Sequence, residues 1–381
     1  MSEIRVDTIS EKTSGSGTTV SNLVNPNSPF RNVIINGDMT INQRGSTSTT
    51  GLGADGELYF LDRIRTYTSG TAGRYTLSQD TDVPPGLGFS NSLKFQCTTA
   101  DTSVAADELT LLQQQIAGEN LQGFCKGTSS AKKFTVSFYA KANESRVVSL
   151  ELSDSDNSRT ISQLFTVTAD WQRHVLTFDA DTTGAFDNDT NKSMSMIFWL
   201  HAGSNFTGGT LNTSWNSNTN ANRAVGIGSL LASTNNNFFI TGWQFEVGDH
   251  ATDFEHLPRD VNLQRCQRYY QKLTGSYAQH GQISNVHYNG TGQAQGVYLY
   301  PVEMRASPTL SHTTTSSNNA SSAYAVANAG SVDYIDSLAF YNANNHSTLI
   351  YTNVGGAGTA GHGGNLYVQS TITEAALVAE I

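Results

Sequence analysis

Along much of the chain, apolar and polar residues alternate singly. "FTVSFYA" sets Phe134, Val136, Phe138 and Ala140 on one face and Thr135, Ser137 and Tyr139 on the other. "MSMIFWL" aligns Met194, Met196, Phe198 and Leu200, and "VVSLEL" aligns Val148, Leu150 and Leu152. The same period joins Tyr75 with Leu77, Leu93 with Phe95 and Cys97, Leu176 with Phe178, and Trp243 with Phe245 and Val247. Successive side chains on a strand point to opposite faces, so this period predicts half-buried strands of antiparallel sheets. Alternation also places Glu246 opposite Trp243 and Phe245, toward solvent. Between the strands lie "TSGTAG", "TDVPPGLG", "DADTTGAFDNDTN" and "NTSWNSNTNANRA", which are loop chemistry. Strands at this density over residues 29–258 predict a two-sheet sandwich, a jelly roll.

Two stretches break the pattern. Residues 1–28 hold one candidate strand, "EIRVDTIS", and a flexible run, "EKTSGSGTTV". They carry too little apolar surface to fold alone and read as an arm that pairs with a neighbour or another subunit. In "PRDVNLQRCQRYYQKL" (258–273), Leu263, Cys266, Tyr270 and Leu273 recur at helical spacing after a Pro, with Asp260 as a candidate N-cap. One or two helical turns there, giving way to a strand at "RYYQK", would form a hinge. Strand patterning returns in "GVYLYPV", "TLIYTNV" and "NLYVQS", followed by an apolar-acidic tail, "AALVAEI". The expected organisation is all-β: an arm at 1–28, a jelly-roll sandwich at 29–258, and a hinge helix with a smaller β-sandwich at 259–381.

Composition narrows the function. Charged residues are 14% of the chain and hydrophobic ones 37%, with 34 Gly; low charge argues against disorder and fits a turn-rich β protein. The net charge of −10 comes with no basic tract, which argues against nucleic acid as a partner. No apolar run has the length of a membrane span, and Met1-Ser2-Glu3 opens no signal peptide. Cys97, Cys125 and Cys266 are far apart and without CxxC spacing, so they read as buried thiols of a protein made in a reducing compartment.

Three kinds of chemistry bear on the acids and loops. Paired carboxylates for glycan hydrolysis could come from Glu246, Asp253 and Glu255, or from Asp107 and Glu108, but nothing sets a separation, and solvated acids are the simpler reading. The Asp-rich loop 179–191 offers calcium ligands without the DxDxDG frame. Nucleophilic catalysis lacks GxSxG, and "GGAGTAGHGG" lacks the Lys-Ser/Thr ending of a phosphate loop. No enzyme and no cofactor is therefore expected. Sugar binding matches better: aromatic rings stack on sugar faces while amides bond hydroxyls. Trp215 in "NTSWNSNTN", Tyr59 in "GELYF" and Tyr341 near "NANN" are the candidates, with Trp215 as local core the competing reading.

Several phrases together resemble one family. "NVIINGDMTINQRG" (32–45) resembles the opening of the main domain in bacteriophage tail-fibre and related virion proteins, and "LDRIRTY" (61–67) stands where that family has a "DRW"-like element, with Ile64 in place of the aromatic. "QQQIAGENLQGF", "KKFTVSFYAKA", "WQRHVLTFDA", "TGWQFEVGDHATDFEHLPRDVNLQRCQRYYQK" and "PVEMRASPTL" are similar to its later segments. The main domain is also similar to carbohydrate-binding-module jelly rolls. These often hold a structural calcium near the first and last strands, where Asp38 and Glu246 stand in comparable stretches. The resemblance implies a virion component: a tail fibre or adhesin, homotrimeric, joined to other tail proteins by its arm, and contacting host surface polysaccharide without catalysis. A glycan depolymerase and a purely architectural tail connector are the alternatives.

Overall fold

The computed structural model describes residues 30–273 and 281–381, apart from residue 291 and segments 315–323, 329–330, 336–337, 355–357 and 369–371. The expected arm at 1–28 lies outside the described residues. The fold is all-β. Strands β1 (Ser48–Leu52), β2 (Gly56–Leu61), β3 (Ile64–Ser69), β4 (Arg74–Asp80), β5 (Ser92–Thr99) and β6 (Leu109–Ala117) come first. There follow β7 (Phe134–Ala142), β8 (Arg146–Asp154), β9 (Arg159–Val167), β10 (Gln172–Phe178), β11 (Lys192–Ala202), β12 (Asn216–Ser217) and β13 (Asn237–Val247). They pair into a six-stranded sheet, β1-β4-β5-β13-β7-β10, and a seven-stranded sheet, β12-β9-β8-β11-β6-β3-β2.

The inner faces of the two sheets share one core. Phe95, Val136, Phe138, Trp243 and Phe245 come from the first sheet, and Leu112, Leu150, Met196 and Phe198 from the second, all essentially without solvent contact. Phe198 meets Phe138 edge-on at 5.0 Å and Trp243 at 5.0 Å, and the Trp243 indole N–H points at the Met196 sulfur, 2.9 Å away. Each such side chain contributes about 1.5–3 kcal/mol by leaving water. Leu112 apart, these are the alternating residues of the sequence pattern.

The outward faces depart from it. Glu246 is buried, not solvent-facing, because residues 252–255 fold back over β13. Thr252 donates to Glu246 from its backbone N–H (3.0 Å) and hydroxyl (2.5 Å), and the Glu255 N–H donates to Gln244 Oε1 (2.8 Å). Val247, expected in the core with Trp243, is 44% exposed at the end of its strand.

A short helix, α1 (Ser204–Thr207), lies in the long β11–β12 connection, and a second, α2 (Arg259–Gln267), leads away from β13. Pro258 occupies the N-cap of α2, and Asp260, expected there, sits in the first turn, where its charge complements the helix dipole. The chain then forms β14 (Tyr270–Lys272), β15 (Gly281–Tyr288), β16 (Gln293–Leu299), β17 (Thr309–Thr314) and β18 (Tyr324–Asn328). Last come β19 (Ser331–Ile335), β20 (Ala339–Tyr341), β21 (Ser347–Asn353), β22 (Gly363–Val368) and β23 (Ile372–Val378). A three-stranded sheet, β14-β23-β17, and a seven-stranded one, β19-β18-β22-β15-β16-β21-β20, enclose a second core that includes Val286, Tyr288, Ile350, Leu366 and Leu377. The "AALVAEI" stretch is thus no loose tail, since β23 is the middle strand of its sheet.

Candidate functional site

The register of the seven-stranded sandwich sheet sorts its outer face into rows. Tyr67, Leu111 and Trp199 stand side by side across β3, β6 and β11. The next row is Arg65, Gln113, Ile197 and Glu151; the third is Gln115, Ser195 and Ser153. The first row is apolar, and the β11–β12 connection covers its Trp199 end, where Phe206 of α1 packs on Trp199 at 5.3 Å with Ala224 alongside, while Tyr67 and Leu111 line the cavity next to it. The polar rows stay open. They floor a cavity of about 380 Å³ rimmed by Lys192, Asn218 and Arg223.

Side chains in this groove have unused hydrogen-bonding capacity. Gln113 is 4% exposed, Ser195 5% and Ser153 8%, yet among the described residues none of the three side chains has a hydrogen-bond partner. Their polar atoms face the open cavity, where they can bond a molecule that enters. They stand on central strands, which hold them rigidly.

Charges at the groove are already matched. The buried Glu151 carboxylate accepts from Arg223 Nε and Nη2 at 3.0 and 2.7 Å and from the Trp199 indole at 3.2 Å. Asp154 pairs with the wholly buried Lys126 ammonium at 2.6 Å and caps the turn at Asp156 and Asn157. Lys126 also reaches Asp181 (3.2 Å) and the carbonyls of Thr183 (2.9 Å) and Gly184 (2.7 Å). The oxygen-rich loop weighed for calcium therefore directs these oxygens at an ammonium group. Arg159, at 2.8 Å, helps hold the Asp181 carboxyl below its usual range against the opposing effect of burial.

The last residues of the sequence pack beside the groove residues Arg65 and Gln115. The Gln115 amide lies between Arg65 and the Ile381 backbone oxygen, bonding both once its oxygen and nitrogen are exchanged, and the Tyr59 hydroxyl donates to the same oxygen at 2.6 Å. Glu380 pairs with Arg63, 1% exposed, and with Arg44 at 2.8 Å. The Arg63 guanidinium lies 3.7 Å over the Tyr269 ring, and that of Arg44 lies 4.0 Å over Tyr270. Asp62 accepts from the Gln43 N–H and side-chain amide at 2.7 and 2.6 Å. Asn36, in the left-handed region (φ 61°), binds the Ile41 backbone and the Asp62 carbonyl. Gly37 passes so close to β13 that a Cβ there would lie 2.0 Å from the Trp243 carbonyl oxygen. "NGDMTINQRG", "LDRIR" and "CQRYYQ", read separately in the sequence, thus meet in one buried junction between the two cores.

The stacking candidates fall in three separate places, none lining the groove. Trp215 is half-buried, packed on Phe134 at 5.7 Å and beside Lys126 at 5.4 Å, and its indole donates to the Asp179 carbonyl at 2.8 Å. It packs as local core. Tyr59 belongs to the junction, where burial first and Glu380 second push its hydroxyl up to about 12. Tyr341 is 54% exposed on β20, edge-on to Tyr351 at 5.6 Å. Asp38 accepts from Thr40 and from Asn262 (3.1 Å), while Glu246 is held by Gln244, Thr252 and Arg31. The two share no ligand set of three among the described residues. Of the weighed acids, Asp253 is fully exposed and Glu255 accepts from the Asn32 N–H at 3.0 Å. The groove residues themselves were missed; the run "LLQQQIA" on a buried strand was the available signal.

No family model and no curated protein matches the chain. Among solved structures it is similar to the enzymatically active domain of tailspike protein 4 of bacteriophage CBA120, at 13% identity and TM-score 0.29, covering 58% of this chain and 22% of that one. It is similar to a CBM4 structure at 13% identity and TM-score 0.29, covering 56% and 97%. A family 11 carbohydrate-binding module from Clostridium thermocellum, in complex with a β-1,3-1,4-mixed-linked tetrasaccharide, matches at 10% identity and TM-score 0.27, covering 52% and 99%. At such values the likeness carries no functional argument.

Proposed function

We propose that the protein is a non-catalytic glycan-binding component of a phage tail, and that the outer face of the seven-stranded sandwich sheet is its binding groove. The observation that carries this reading is the set of polar side chains without a protein partner, Gln113, Ser153 and Ser195, that line an open cavity on central strands. Amides and hydroxyls on rigid strands suit sugar hydroxyls, which donate and accept at fixed spacing. Absence of catalysis is supported by the state of the acids: Glu151 and Asp154 are held in ion pairs, so neither is placed as a free acid or base beside the other. The virion role rests on the resemblance carried by "NVIINGDMTINQRG" and "CQRYYQK", with trimeric assembly and arm-mediated attachment as its corollaries.

Affinity electrophoresis against polysaccharides from candidate host surfaces tests the reading. The expected result is retardation in at least one polysaccharide, lost in Gln113→Leu, with no new reducing ends on long incubation. New reducing ends would favour the depolymerase; no retardation in any would favour the architectural connector.

A further inference from the structure

A β-bulge in β11 turns a histidine into the sandwich interior. Trp199 opposes Leu111 on the outer face, but His201, two residues on, opposes Thr110, which lies on the inner face. Leu200 is the extra residue, and it too points into the core. Strict alternation would have set His201 outward beside Trp199. Bulges commonly re-aim a side chain in this way.

The re-aimed ring meets two acids. His201, Glu108 and Asp101 are all buried, and their ligand atoms lie within 4.8 Å of one another. His201 Nε2 is 3.1 Å from Glu108 Oε2, and Nδ1 is 2.7 Å from the Ser229 hydroxyl. Asp101 is fixed by the Thr71 hydroxyl (2.6 Å) and the N–H groups of Ala72 (2.9 Å) and Ser103 (3.1 Å). No Lys or Arg pairs with either acid among the described residues. Two enclosed carboxylates without a cation are costly. A second, independent feature points the same way: the Thr110 hydroxyl, cross-strand from His201 and wholly buried, has no hydrogen-bond partner. Cross-strand neighbours on one face stand about 5 Å apart.

We propose that Asp101, Glu108 and His201 bind a divalent transition-metal ion of the zinc type, with the Thr110 hydroxyl at the same space. An imidazole with two carboxylates suits zinc or manganese, whereas calcium requires six to eight oxygens. Ser229 would fix the ring so that Nε2 faces the ion, as outer hydrogen bonds do for metal-bound histidines. The ion would tie the 101–108 connection to β11 at one end of the sandwich, a structural role separate from the glycan groove.

The test uses the full chain purified without chelator. Elemental analysis is expected to find about one zinc or manganese per chain. After EDTA treatment, adding micromolar Zn²⁺ or Mn²⁺ is expected to raise the melting temperature by about 5 °C or more, as ligand binding to the native state requires. His201→Gln should remove that response; if it fails to fold, Glu108→Gln and the wild-type titration decide. Chelator-treated protein that melts unchanged with both ions would overturn the site, and so would a response only to Ca²⁺ or one that survives in His201→Gln. Sugar binding in EDTA is expected to persist, so this proposal and the glycan reading fail separately.

Discussion

Trp215 and Gln113 illustrate opposite fates of a side chain chosen for chemistry. The indole sits in an Asn- and Ser-rich loop, yet it packs on Phe134 and donates to a carbonyl, so its ring face is engaged. Trp215→Ala should therefore lower stability by about 3 kcal/mol, the low end for a large aromatic removed from a core. Urea unfolding together with a sugar titration checks this: stability is expected to fall while affinity changes less than about twofold. Lost affinity at unchanged stability would restore Trp215 as a stacking residue. Tyr59 makes a different prediction, through pH. Its hydroxyl titrates at about 12 in the folded protein against an ordinary value of 10.0, so the folded state holds the proton more tightly. The stability this contributes is fully present below about pH 10 and is lost as pH rises through 12. Urea midpoints between pH 9 and 12 should show the wild type losing its advantage over Tyr59→Phe across that window. A pH-independent difference would contradict it.

At the scale of elements, the sandwich strands were legible because each needs one apolar face, and that need writes itself as alternation. The covering of the other face was not legible. Whether Glu246 meets solvent depends on residues 252–255 folding back. Whether Gln113 meets a groove depends on α1 and its loop covering Trp199 and stopping there. His201 shows a third reason, since a single bulged residue reverses the phase of everything after it. The site was for these reasons largely hidden, and the loop aromatics singled out instead were those easiest to see. The junction of "NGDMTINQRG", "LDRIR", "CQRYYQ" and Glu380 likewise joins pieces that look unrelated in order. Glu380→Gln removes the partner of the buried Arg63, which should cost about 3 kcal/mol, because an unpaired buried charge is worse than a missing pair. Replacing both, in Arg63→Met with Glu380→Leu, should restore much of that loss. Denaturant midpoints of the three proteins decide, and a single variant as stable as the wild type would show that the pair does not hold the junction.

For the whole molecule, two β cores are joined by one buried set of ion pairs that lies beside the polar groove. That arrangement suits a rigid binding element: a fixed sheet face presents the contact groups, while Glu151 and Asp154 are held in ion pairs. A virion tail protein with a glycan-reading surface is the account that joins the groove to the sequence resemblance. The most direct test is calorimetric titration of a polysaccharide that retards the wild type, comparing wild type, Gln113→Leu, Ser195→Val and Tyr341→Ala. The account predicts that both groove variants lose at least about tenfold in affinity while remaining folded, each leaving sugar hydroxyls unpaired, and that Tyr341→Ala binds as the wild type does. Undiminished binding by both groove variants would contradict it.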